Sequence, residues 1–176
     1  MIINIRGTNG SGKTTLARQL IDESTACEVL LCGIVCTTDA SARTVLIGPY
    51  IGRKTGGCDH LPTFEKMREV ITAAALLYTN VVFEGVIISG VFKSWSDFDT
   101  VRGRDIVWAY LSTPVEDCVA RVYARNGGKP FKEKNVTDKY EGTMVTRRKA
   151  MAAGHMVVDL PPDGADALAR VREMLQ

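Results

Sequence analysis

The residues with the clearest chemical meaning in this chain are Gly7-Thr8-Asn9-Gly10-Ser11-Gly12-Lys13-Thr14. They satisfy G-x-x-x-x-G-K-[ST], the phosphate-binding loop, at every constrained position. A polyphosphate must be met by many converging donors. Gly7, Gly10 and Gly12 carry no Cβ, so the backbone there can curl and aim its N–H groups inward. A helix opening near Lys13 adds its positive dipole end. In such a loop the lysine reaches the β- and γ-phosphates and the hydroxyl of Thr14 ligates Mg²⁺. Thr8, Asn9, Gly10, Ser11, Gly12, Lys13, Thr14 and Thr15 are the expected nucleotide-binding residues, and a nucleoside triphosphate with Mg²⁺ is the expected ligand.

Further candidates follow along the chain. Glu84 ends Val81-Val82-Phe83-Glu84-Gly85, and an acid at the tip of a buried strand is where phosphate-loop enzymes hold or orient Mg²⁺. Asp is more usual there, so Glu84 is open to three roles: holding the metal or its water, contacting the acceptor, or acting as base. Asp59 sits in Lys54-Thr55-Gly56-Gly57-Cys58-Asp59-His60, a loop shaped as if around a ligand. A hydroxyl acceptor needs a carboxylate to take or orient its proton, and Asp59 is the first candidate. Its alternative reading is a cap for the helix beginning near Pro62. Asp39 reads as a turn residue. Arg121 and Arg125, one helical turn apart, share a face and suit phosphate and adenine contacts, with Glu116 and Asp117 as their alternative partners. From Lys129 to Lys149, seven cations (Lys129, Lys132, Lys134, Lys139, Arg147, Arg148, Lys149) face three acids (Glu133, Asp138, Glu141), a net of +4. Preceded by Gly127-Gly128, this segment reads as a lid over phosphates, as a grip on a nucleic-acid backbone, or as a solvated basic helix. Phe92, Trp95 and Phe98, just beyond Glu84, read as core or as a stacking platform for a base.

The elements that must position these groups alternate. Strands are expected at about 2–6, 29–37, 44–48, 81–83, 106–111 and 156–160, the second and third forming a hairpin around Asp39-Ala40-Ser41-Ala42-Arg43. Helices are expected at about 13–23, 63–78, 115–125 and 138–153, with one more after Pro161-Pro162-Asp163. Buried strands separated by helices mean an α/β fold with a mainly parallel sheet. Ligands then sit at the carboxyl ends of the strands, which selects the phosphate loop, Glu84 and the turn near Thr113.

The 176 residues, 45% hydrophobic and 24% charged, suit a single domain over 1–176 with a small lid-like segment at about 126–140. No apolar run is long enough to span a bilayer, and the chain opens directly into a strand, so no signal peptide and a cytoplasmic location are expected. The net charge of +2 does not by itself announce a nucleic-acid partner. Of the five cysteines, Cys32 and Cys36 lie in an apolar run as packing residues. No C-x-x-C pair is present and His60 and His155 stand apart, so zinc is not expected.

Taken in order, several of these pieces resemble a family. They are Arg6 to Thr14, Gly56-Gly57-Cys58-Asp59, Val82-Phe83-Glu84-Gly85, Leu111 to Val122, Lys129-Pro130-Phe131 and Asn135-Val136-Thr137-Asp138-Lys139. Together they resemble the bacteriophage phosphate-loop kinases of thymidine hypermodification, the 5-hydroxymethyluracil DNA kinases. The resemblance covers most of the chain, and only the phosphate loop is specific alone. It implies a three-layer, adenylate-kinase-like core and ATP-dependent phosphorylation of the hydroxymethyl group on a uracil already within DNA, in a host cytoplasm. Lys13, Asp59, Glu84 and Arg121 would then be catalytic, Thr14 and Glu84 would hold Mg²⁺, and Arg121 and Arg125 would contact the nucleotide. The residues alone leave two other readings: a small nucleoside or nucleotide kinase, and a nucleotide-binding switch. No N-K-x-D guanine motif is present.

Overall fold

A computed structural model of the chain describes residues 1–22, 24–41, 43–52 and 56–176. Ala42 of the expected turn, and Lys54 and Thr55 of the expected ligand loop, lie outside the described residues. The chain begins with β1 (Ile2–Arg6), α1 (Lys13–Gln19), β2 (Cys27–Leu31), β3 (Ile34–Thr38) and β4 (Thr44–Leu46). A short 3₁₀ turn (Cys58–His60) precedes α2 (Phe64–Leu77), β5 (Asn80–Glu84), α3 (Val86–Ser89) and α4 (Lys93–Val101). Then come β6 (Ile106–Leu111), α5 (Val115–Arg125), α6 (Lys134–Ala152), β7 (Met156–Leu160) and α7 (Gly164–Met174).

The strands form one sheet in the order β2-β3-β4-β5-β1-β6-β7. β1 lies at its centre, parallel to β5 on one side and β6 on the other. Every residue of these three strands is buried, because helices cover both faces, and this is why they read as continuous apolar runs. β4 and β7 extend the parallel part, whereas β2 and β3 add an antiparallel end.

Alternation along β1 divides the interior. Ile2 joins a core with Met67, Val70, Ile71 and Ala74 of α2, Ile88 of α3, Trp95 of α4 and Ala150 of α6. Ile3 and Ile5 join the opposite core with Leu16 and Ala17 of α1 and Ala167 and Val171 of α7. The result is a helix–sheet–helix, three-layer α/β fold with its glycine loop emerging from the central strand.

The structure corrects the reading in four places. The apolar run 29–37 is not one strand: Cys32 and Gly33, with φ of 49° and 80°, turn the chain back and pair Leu31 with Ile34. Cys32 is therefore a half-buried turn residue, while Cys36 is core. The first helix stops at Gln19, short of residue 23. Residues 86–101 carry two helices that periodicity did not reveal. The long basic helix starts at Lys134, not 138. Trp95 settles its own alternative: it is buried against Phe83 (5.3 Å), Phe98 (5.9 Å) and Phe64 (6.2 Å) and belongs to the core.

One buried carboxylate ties three elements together. Asp99, fully buried on α4, accepts from the backbone N–H of Ile106 (3.0 Å) and from Trp108 Nε1 (2.9 Å), and its Oδ2 lies 2.7 Å from His155 Nδ1. An unpaired buried donor costs its full desolvation, so the Asp99→Ala variant is expected to lose about 3 kcal/mol or more of unfolding free energy. Urea unfolding measures this, and a loss below about 1 kcal/mol would show that the hub is not structural.

Candidate active site

The carboxyl ends of β1, β5 and β6 lie side by side, so the loop after β1, Glu84 at the end of β5 and Thr113 beyond β6 converge. The loop's glycines adopt the conformation their type allows, with φ of 78° at Gly10 and 99° at Gly12. A Cβ at Gly10 would collide with the carbonyl of Cys118 on α5, so the close approach of loop and helix also demands glycine.

Three buried hydrogen bonds fix the loop from outside. The Gly7 N–H donates to Ser89 Oγ on α3 (3.1 Å), and that hydroxyl donates to the carbonyl of Gly85 (2.6 Å). Thr8 Oγ1 donates to the carbonyl of Val136 in the first turn of α6 (2.9 Å). Thr113 Oγ1 donates to the carbonyl of Ser11 (2.9 Å). On the rim, Arg121 Nη1 reaches the carbonyl of Gly10 at 3.4 Å. Arg125 is exposed one turn further along α5. Asn9 is half-buried and Thr15 exposed at the start of α1.

Inside the loop, Lys13 is buried and its ammonium donates to the carbonyl of Thr8 (2.8 Å). Burial pulls its pKa down, partly offset by the negative charges of Glu84 and Asp59. Thr14 Oγ1 donates to Glu84 Oε1 at 2.9 Å, and Tyr50 OH reaches the same oxygen at 3.4 Å. Glu84 is 2% exposed. Burial pushes its pKa up, opposed by the charge of Lys13 and the hydrogen bond from Thr14. The Thr14 hydroxyl and Glu84 carboxylate meet as an all-oxygen pair beside the phosphate loop. That donor chemistry fits a hard divalent cation such as Mg²⁺.

Asp59 completes the cluster by a route the sequence did not show. Thr63, not Asp59, caps α2, accepting from the N–H of Lys66 (3.1 Å). Asp59 caps α3 across space, accepting from the N–H groups of Val86 (2.8 Å) and Ile87 (3.0 Å), the residues directly after Glu84-Gly85. The glycines between make room. Gly57 has φ of 82°, and a Cβ on it would strike Glu84's carboxylate and its backbone oxygen. A Cβ on Gly85 would lie 2.7 Å from Asp59 Oδ1.

Other candidates fall elsewhere. Asp39 accepts from the N–H groups of Arg43 (2.9 Å) and Thr44 (3.1 Å) and is a local turn residue. Within the basic segment, Arg147 is paired with Asp159 on β7, while Lys129, Lys132, Lys134, Lys139, Arg148 and Lys149 are exposed. Tyr50, Ser89 and the carbonyl of Val136 were missed. A buried tyrosine must find a partner for its hydroxyl, which was the available signal for Tyr50. Ser89 and Val136 act through contacts 82 and 128 residues distant in sequence and carry no local signal.

Comparison with known proteins gives a consistent result. A family model described as 5-hmdU DNA kinase matches residues 1–157. The 5-hmdU DNA kinase of Pseudomonas phage M6 is 37% identical over 172 residues, covering 90% of this chain and 89% of that protein. 5-hmdU DNA kinase 1 of Salmonella phage ViI is 35% identical over 142 residues, covering 78% and 64%. The 5-hmdU DNA kinase of Pseudomonas phage PaMx11 is 33% identical over 181 residues, covering 93% and 92%. Among solved structures, the deoxyadenosine kinase of M. mycoides superposes with a TM-score of 0.51 over 99% of both chains at 14% identity, a likeness of fold.

The raised pKa of Glu84 has a consequence for stability. The folded state holds this proton more tightly than the unfolded chain, whose carboxyl keeps its ordinary value of 4.5. Unfolding therefore releases a proton as pH rises from there to the folded pKa, and stability from this group falls across that window and is level above it. Glu84→Gln removes the effect. The free-energy gap between variant and wild type should shift in the variant's favour, by up to about 1.4 kcal/mol per pH unit within the window. Urea unfolding from pH 4.5 to 8 reads it; a pH-independent gap would mean a solvated carboxyl.

Proposed function

The chain belongs to the 5-hmdU DNA kinase family, and on that footing we propose that it transfers the γ-phosphoryl group of ATP to the hydroxyl of 5-hydroxymethyluracil within DNA. The observation that carries the reading is the meeting of Thr14 and Glu84 at 2.9 Å beside the glycine loop, with the Asp59 carboxylate next to them. Donor and acceptor machinery then lie within one cleft.

In this reading the loop N–H groups and Lys13 bind the phosphates of ATP, and Arg121 and Arg125 cover them from α5. Thr14 and Glu84 would hold Mg²⁺, which would supply charge neutralisation for the phosphates. Asp59 is the base. Its two oxygens each accept one N–H bond and keep a lone pair for the acceptor hydroxyl, whereas Glu84 Oε1 is engaged by Thr14 and Tyr50 and buried. A base stacked in a duplex cannot reach this cleft, so the target nucleotide must be flipped out or presented in a single strand. The segment 126–140 would serve as the lid over the phosphates. No helix among the described residues is long and apolar enough to cross a membrane.

Incubation with γ-labelled ATP, Mg²⁺ and matched duplexes containing 5-hydroxymethyluracil or thymine tests the reading. Label should enter only the hydroxymethylated DNA, and Lys13→Ala should reduce it by about 100-fold or more. Label on free nucleotides or nucleosides and none on DNA would replace the proposal with a small-molecule kinase. Tight nucleotide binding without any transfer would leave a switch.

A further inference from the structure

We propose that Lys139 is a further catalytic residue, a second ammonium that contacts the transferred phosphoryl group from α6. The inference rests on the kinase reading above.

The helix face is the first ground. Val136, Thr143, Thr146 and Ala150 are the buried residues of α6. Lys139 lies three residues after Val136 and four before Thr143, so it belongs to this same inward stripe. It is nevertheless exposed. A long cation placed on a packing stripe and still open to solvent means that the stripe faces a cleft at this level. The solvated face of α6 lies elsewhere, at Lys134, Asp138, Glu141 and Arg148, all exposed.

The location of that cleft is the second ground. One turn before Lys139, the carbonyl of Val136 is held by Thr8 Oγ1 of the phosphate loop at 2.9 Å. Two turns after it, Thr146 Oγ1 donates to the carbonyl of Ser89 at 2.8 Å, at the end of the helix that Asp59 caps. Lys139 therefore stands between the loop that binds the donor and the helix beside the acceptor side. No hydrogen bond or ion pair engages its ammonium among the described residues. Its charge is also felt at Lys13, whose pKa it helps to lower. Lys139 thus adds positive potential to a loop whose own ammonium is already countered by Glu84 and Asp59, and the triphosphate that the loop binds supplies the anion for it. Arg121 reaches the same loop from α5, at Gly10.

The experiment compares the full chain with Lys139→Met and Lys139→Arg. Thermal melting should be unchanged, because the side chain is exposed. Lys139→Met should lower kcat by about 100-fold, with ADP affinity within about two-fold of wild type and the salt dependence of KM for DNA unchanged. Lys139→Arg should restore part of the rate, since the charge is kept. A wild-type kcat in Lys139→Met overturns the proposal. So does a loss confined to KM for DNA with a shallower salt slope, which would make Lys139 a DNA-backbone contact. An equal loss of ADP affinity overturns it too, as a merely general phosphate contact. Direct nucleotide binding separates two failures. Wild-type protein that binds neither ATP nor ADP overturns the kinase reading and Lys139 with it. Wild-type protein that transfers phosphate, while Lys139→Met does so equally fast, overturns Lys139 alone.

Discussion

A glycine loop cannot hold its own shape, and the bonds that hold it are the constraint on which this molecule depends. Glycine gives the phosphate loop its curl and at the same time gives it the most conformational freedom to lose. Three buried hydrogen bonds supply the missing rigidity, from Ser89, Thr113 and the carbonyl of Val136. They come from α3, from the turn after β6 and from α6, so three separate connections of the sheet must be in place before the loop is. Each bond has main chain at one end. At position 136 only the carbonyl is used, and the side chain there is free to answer to packing with Cys118 and Val122.

The second constraint is electrostatic. Lys13 and Glu84 are buried close to each other, and burial acts against the charged form of both. What opposes burial differs between them: the negative charges of Glu84 and Asp59 act for Lys13, and the charge of Lys13 with the hydrogen bonds from Thr14 and Tyr50 acts for Glu84. Gly57 and Gly85 let the Asp59 carboxylate and Glu84 crowd into the same space, which any larger residue at either position would prevent. Acids brought this near one another are poised for a cation and a substrate proton, not for a resting ion pair.

The parts of this design legible in the sequence are those that are local. The phosphate loop, the strand leading to Glu84, the 106–111 strand and the helix carrying Arg121 follow from motif and periodicity, and the three-layer architecture follows from their alternation. What was not legible depended on partners far along the chain. Asp59 reads as a candidate base or as a cap for the helix that follows it, and only the fold shows it capping α3 instead, because Thr63 already occupies the first position. The run 29–37 looked like one strand because hydrophobicity is blind to a two-residue turn whose first member, Cys32, adopts a positive φ without being glycine. Ser89 carries no local signal, because its partner Gly7 lies 82 residues away in sequence. Lys139 looked like one cation among seven until the buried stripe of α6 singled it out.

The two tryptophans occupy opposite surroundings. Trp108 carries the Arg6 guanidinium 3.8 Å from its ring centroid and the His155 ring at 4.9 Å, and its N–H is bonded to Asp99. Trp95 has aromatic neighbours, the nearer being Phe83, and its N–H has no hydrogen-bond partner among the described residues. Trp95 is thus held by packing rather than by a hydrogen bond, and its neighbour Phe83 immediately precedes Glu84. The strand that ends in the candidate active site is therefore seated on a side chain fixed by shape alone, which leaves that seat sensitive to the volume of each neighbouring ring.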